Sequence, residues 1–111
     1  MNDLLMLDID PIPKPRMTAR SSIFSDAAKR YYSYKDEINL LARDFDLAEA
    51  NEIMFVMPMP KSWSDKKKAD MLGMPHQQRP DIDNLVKGVF DALADNDAYI
   101  WHSVATKSWR S

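Results

Sequence analysis

The chain has 111 residues, a net charge of -2 and no cysteine. That length holds one domain with a modest core, the lack of Cys excludes disulfides and thiolate metal sites, and no apolar run is long enough to span a membrane. The start, Met1-Asn2-Asp3, has neither the basic residues nor the apolar stretch of a secretory leader, so an intracellular protein is expected.

Residues 4 to 9 read as a first strand, after which Pro11, Pro13 and Pro15 impose an extended loop that cannot continue a sheet interior. Lys14, Arg16 and Arg20 lie along this loop. They make either a stiff basic arm that contacts phosphates or an ordinary strand exit. Ser25 or Asp26 can cap a helix over about residues 27 to 48, with Tyr31, Tyr34, Ile38, Leu41 and Phe45 at helical spacing. Tyr31, Tyr32 and Tyr34 read as core or interface residues rather than base-stacking platforms.

Residues 52 to 57 form a second strand closed by Pro58 and Pro60, and their continuous apolar run places it centrally in a sheet. Ser62 or Ser64 then caps a short helix to about Leu72, ended by Gly73 and Pro75, with Lys66, Lys67 and Lys68 as a solvated face. His76, Gln77 and Gln78 make a polar loop in which His76 reads as solvated. A helix follows Pro80, its apolar face marked by Ile82, Leu85, Val86, Val89, Phe90 and Leu93. Residues 99 to 109 alternate as a third strand, which brings Asp97 to its mouth. Together these elements predict one α+β domain over residues 1 to 111, a small mixed sheet packed by helices.

The net charge conceals a segregation along the chain. Residues 11 to 35 are net +5 and residues 61 to 79 net +3, whereas residues 36 to 52 are net -5 and residues 81 to 97 net -4. Two basic segments flanking an acidic one is the arrangement a nuclease needs, with phosphates attracted at the rim and a cation held at the centre.

The acidic segment carries the chemistry. Asp81 and Asp83 stand one residue apart at the head of the Pro80 helix, and Asp83, Lys87, Asp91 and Asp95 form a polar stripe down it. Paired carboxylates suit a hard cation such as Mg2+, but the same spacing serves equally for a capping Asp and i, i+4 ion pairs. An EF-hand is excluded, because counting from Asp81 puts Val86 where the loop needs Gly and Ala92 where it needs the bidentate Glu. Carboxylates that hold Mg2+ and leave coordination positions open would allow a bound water to attack a phosphodiester, with Lys87 neutralising charge on the transition state.

The blocks Arg79-Pro80-Asp81-Ile82-Asp83-Asn84-Leu85-Val86-Lys87, Phe90-Asp91-Ala92-Leu93 and Asn96-Asp97-Ala98-Tyr99-Ile100, with Lys107 beyond and the early run Pro11-Ile12-Pro13-Lys14-Pro15-Arg16, share their order and spacing with one known signature. They resemble the RusA-type Holliday junction resolvases. The resemblance implies a RusA-like fold and an Mg2+-dependent endodeoxyribonuclease, with Mn2+ as a substitute ion, that resolves four-way DNA junctions by paired symmetric nicks in recombination and repair. It implies metal ligands at Asp81, Asp83 and Asp97, a catalytic Lys87, and DNA contacts at Lys14, Arg16, Arg20, Arg79 and Lys107. It further implies branched DNA as substrate, a homodimer, and a cytoplasmic protein of bacterial or phage origin. Asn96 departs from the family pattern, standing where an Asp often precedes the second Asp of a pair. The alternative is therefore a branched-DNA-binding protein of the same fold with impaired catalysis.

Overall fold

Helix α1, Asp26–Ala42, starts where the Ser25 hydroxyl accepts the Ala28 amide at 3.2 Å and relieves one of the unpaired donors of a helix end. The computed structural model to which this helix belongs describes residues 4–15 and 25–111, so Arg16 and Arg20 of the basic arm lie outside the described residues. Along α1, Ala28, Tyr31, Tyr34, Ile38 and Ala42 repeat every three or four positions and are buried. The helix stops six residues before the expected end. Beyond Ala42 the Phe45 amide turns back to the Ala42 carbonyl, and the Asp46 carboxylate takes the Ala48 amide at 2.8 Å, a side-chain bond that competes with helical pairing. Leu41, expected on the inner face, is exposed.

Strands β1, Asn51–Pro58, and β2, Ser103–Arg110, pair in parallel over their full lengths, with Asn51 opposite Ser103 and Pro58 opposite Arg110. A parallel pair requires a crossover, supplied here by helices α2, Asp65–Met71, and α3, Ile82–Leu93. The outer edge of β2 is closed by Gly73 to His76, which includes an isolated antiparallel bridge between Pro75 and Ser108. The architecture is α+β, as expected, but three local expectations fail.

Residues 4 to 9 form no strand: among the described residues they make no ladder pairing, and Leu7 and Ile9 pack on the α1 cluster while Leu4 and Met6 face out. Strand β1 is not central. Phe55 and Met57 are buried, but Met54 and Val56 on the opposite face are exposed, since nothing among the described residues covers that side. The last strand begins at Ser103 rather than at residue 99. Asp97–Tyr99 is a single 3-10 turn, fixed by the Asn96 side chain accepting the Ala98 amide at 3.0 Å.

Helix α2 starts on the Ser64 hydroxyl, which accepts the Lys67 amide at 3.2 Å. The chain leaves it through Gly73, whose φ of 75° is the left-handed conformation that Gly tolerates best. Helix α3 lies between two apolar clusters. Leu85, with Val86 and Val89, packs on Phe55, Met57 and Trp109 of the sheet, while Ala92, Val89 and Leu93 meet Tyr31, Tyr34 and Ile38 of α1. Gly88 permits the closest approach: a Cβ there would stand 3.4 Å from both the Ile12 carbonyl and the Tyr31 ring.

Candidate active site

Asp81 is the N-cap residue of α3, yet its side chain makes no capping hydrogen bond; its backbone carbonyl accepts the Leu85 amide at 3.3 Å. Among the described residues the carboxylate has no hydrogen-bond or ion-pair partner. Asp83 lies in the first turn and is exposed, with the Lys87 ammonium 3.7 Å from its Oδ2. Both partners of that pair are well solvated, so it contributes at most about 0.5 kcal/mol. Asp81, Asp83 and Lys87 therefore share one end of α3.

Asp97 is elsewhere. It opens the 3-10 turn beyond the other end of α3 and is separated from β2 by residues 100 to 102, so it does not stand at the mouth of the strand. The helix carries the chain about 18 Å from Asp81, and the three links from Ala94 to Asp97 return about 10 Å at most. Among the described residues, no three Asp, Glu, His or Cys side chains gather closely enough to hold one ion.

Asp91 does not pair with Lys87, the i, i+4 partner that its spacing offers: its Oδ2 accepts the Tyr31 hydroxyl at 2.7 Å and lies 2.8 Å from the Lys14 ammonium. Burial alone would raise the Asp91 pKa, but the hydrogen bonds from Lys14 and Tyr31 outweigh it and hold the carboxyl below its ordinary value. Burial first, and then the anionic partner, push the Tyr31 phenol in the opposite direction. The Lys14 amide also donates to the Asn84 carbonyl at 3.1 Å, so the root of the basic arm is tied to α3 twice. Tyr34, raised to about 12 by burial, adds a contact to the backbone of Ile12.

Two further residues are placed in ways that sequence reasoning missed. His76, expected in solvent, is only 6% exposed, with its ring centroid 4.2 Å from that of Trp109 and its Nδ1 buried without a partner among the described residues. Burial and the nearby Lys107 charge lower its pKa, favouring the neutral ring. Its amide donates to the Lys107 carbonyl at 3.0 Å. Lys107 itself donates from Nζ to the Gln78 and Pro80 carbonyls at 2.8 and 2.7 Å. Arg79, between those two carbonyls, is exposed and precedes a cis peptide to Pro80. No sequence signal distinguishes a buried loop His or a carbonyl-binding Lys from solvated ones, because neither depends on helical or strand periodicity.

The order Arg79-Pro80-Asp81, the exposed Asp83 and the downstream turn are decided by one comparison: the model of the family described as Endodeoxyribonuclease RusA matches residues 8–104. The chain belongs to this family. Neither the curated proteins nor the solved structures give a significant match. Membership makes the chain an endodeoxyribonuclease, a hydrolase acting on DNA, in a family that binds branched DNA and is generally dependent on a divalent metal. No helix among the described residues is long and apolar enough to cross a membrane.

The donor set fits such a metal. Asp81 and Asp83 offer only hard carboxylate oxygens, neither committed to a strong internal bond among the described residues. Mg2+ is commonly held by one or two carboxylates while keeping several waters. The single His near this end of α3 is turned into the core against Trp109 and is no competitor for it.

Proposed function

We propose that the chain is an Mg2+-dependent resolvase of four-way DNA junctions, with Mn2+ as a substitute, which acts as a homodimer and makes paired symmetric nicks during recombination and repair. The observation that carries this reading is the Asp81 carboxylate at the cap of α3, free of the capping bond, two positions before the exposed Asp83, in a chain whose family cleaves DNA. A bound divalent ion supplies the lowered water pKa and the charge neutralisation that phosphodiester hydrolysis needs. Asp81 and Asp83 would hold it directly, and Asp97, which stands beyond the other end of α3 in this structure, is proposed as the third carboxylate of the loaded site. Lys87, on the same face as Asp83, meets the charge that grows on the phosphate oxygens.

Arg79, exposed beside Asp81, and Arg16 and Arg20 of the basic arm draw the DNA backbone toward that end of the helix. Lys14 belongs to the same basic rim, although its ammonium also pairs with Asp91, whereas the Lys107 ammonium is turned to the Gln78 and Pro80 carbonyls. Two symmetric cuts need two sites, which a two-fold pair of chains provides. The apolar groove beside β1, lined by Leu5, Met6, Met54 and Val56, supports such a pairing.

The separation of Asp97 from Asp81 and Asp83 favours a second reading, a branched-DNA-binding protein with impaired catalysis. Nicking of a synthetic four-way junction, measured beside a linear duplex with Mg2+, Mn2+ or chelator, separates the two. Metal-dependent paired nicks confined to the junction support the resolvase; tight junction binding with no cleavage under any metal supports the second reading.

A further inference from the structure

The stretch between α2 and α3 is held to β2 along its length. The Gly73 amide donates to the Trp109 carbonyl at 3.0 Å, the Trp109 amide to the Met74 carbonyl at 3.1 Å, and the His76 amide to the Lys107 carbonyl at 3.0 Å. The His76 ring, lying on Trp109, closes that run. Past His76 the strand-like pairing ends. Between His76 and α3, among the described residues, the backbone is secured by the Lys107 side chain, whose ammonium binds the carbonyls on either side of Arg79.

An ammonium has three donors. Two of those of Lys107 are engaged at 2.8 and 2.7 Å, the second with the carbonyl of the residue that immediately precedes Asp81. A lysine serving a phosphate needs its donors facing solvent, whereas this one faces backbone. Because Lys107 projects from β2 at a half-buried position beside the buried Trp109, the sheet fixes where its ammonium stands. The ammonium in turn fixes where the chain enters α3.

We propose that Lys107 is a positioning residue: it clamps the Gln78 and Pro80 carbonyls and so sets the direction in which Asp81 leaves the loop, which decides whether Asp81 and Asp83 address the same ion. This rests on the reading of Asp81 and Asp83 as metal ligands. Lys107 acts on the metal through the backbone and makes no contact with DNA that matters for affinity.

The test uses the whole chain as wild type, Lys107→Met and Lys107→Arg. Lys107→Met keeps most of the apolar stem, and thermal melts check that both variants fold. Mn2+ affinity is measured without DNA by the paramagnetic signal of the free ion. Junction affinity is measured with the metal chelated, over a series of salt concentrations. Loss of an outer-shell support weakens metal binding by about tenfold to a hundredfold, so Lys107→Met should bind Mn2+ at least about tenfold more weakly. Junction affinity and its salt slope should be unchanged, and Lys107→Arg should recover part of the metal affinity because it keeps the cationic donors. Unchanged Mn2+ affinity in Lys107→Met overturns the proposal, most clearly if the salt slope drops by about 0.9, the signature of one lost phosphate contact.

Amide hydrogen exchange on the metal-free proteins separates this from failure of the functional reading. If the wild type binds no Mn2+, that reading fails, and exchange decides the clamp alone. Faster exchange in Lys107→Met, confined to residues 78 to 85, supports the clamp; unaltered exchange there refutes it.

Discussion

Replacing Asp91 by Asn tests how the basic arm is rooted. Asn keeps the shape and can still accept from the Tyr31 hydroxyl, so the change removes charge and little else. Two contacts lose strength: the 2.7 Å hydrogen bond from Tyr31 and the 2.8 Å ion pair with Lys14. A hydrogen bond to a charged group contributes about 1.5 to 3 kcal/mol against about 0.5 to 1.5 for a neutral one, which makes the first loss about 1 kcal/mol. The Lys14 and Asp91 side chains are 44% and 31% exposed, so solvent screening holds the second below about 1 kcal/mol. The expected destabilisation near pH 7 is therefore about 1 to 2 kcal/mol.

The pH dependence follows from the lowered Asp91 pKa. A carboxyl whose folded pKa lies below its unfolded value of about 3.9 stabilises the fold fully above that value, and loses the contribution as pH falls through the folded pKa. Urea unfolding of both proteins between about pH 3 and pH 7 measures the gap. It should be full from about pH 5 upward and narrow below about pH 4. A gap of the same size at both ends, or none at neutral pH, would refute the assignment of Asp91 as the ionised anchor of Lys14.

Asp83→Asn should abolish cleavage while leaving junction binding intact, because it removes a ligand charge at constant size; gel shift and nicking on one preparation would show it, and full cleavage would remove Asp83 from the site. Lys87→Ala should slow nicking at saturating DNA with little change in affinity, and an effect on affinity alone would make it a binding residue. Asn96→Asp should change the nicking rate less than about twofold, since Asp and Asn cap comparably and the 3-10 turn needs only the side-chain oxygen that accepts the Ala98 amide; a large gain in rate would show that a second carboxylate belongs in the site. Leu85→Ala, at a side chain with no exposure, should cost about 2 to 5 kcal/mol in urea unfolding, and a smaller loss would mean that the α3 contact with the sheet is loose.

Where a local chemical signal existed, the sequence was read correctly. Ser25 and Ser64 were each one of two capping candidates, and each caps its helix; Gly73 ends α2, and the stripe from Leu85 to Leu93 faces the interior. The failures share a cause, since each depends on a partner distant in sequence. Among the described residues, residues 4 to 9 have strand composition but join no ladder, and β1 has the apolar run of a central strand but one strand neighbour. Phe45 carried helical spacing past Ala42, where Asp46 bends the chain instead. At the site, the positions of Asp81 and Asp83 at the head of α3 were legible from Pro80 onward. The engagement of Asp91 with Tyr31, 60 residues away, was not.

Val89 touches both apolar clusters, and α3 is the wall they share. A helix held on two sides has no inexpensive way to open by itself, because lifting it exposes both clusters at once. Its amides should therefore exchange with solvent through openings about as costly as global unfolding. The carboxylates at its head inherit that rigidity. On gradual heating, the capacity to hold metal should persist unchanged up to the unfolding transition and then vanish with it, with no earlier decline while the rest of the fold survives.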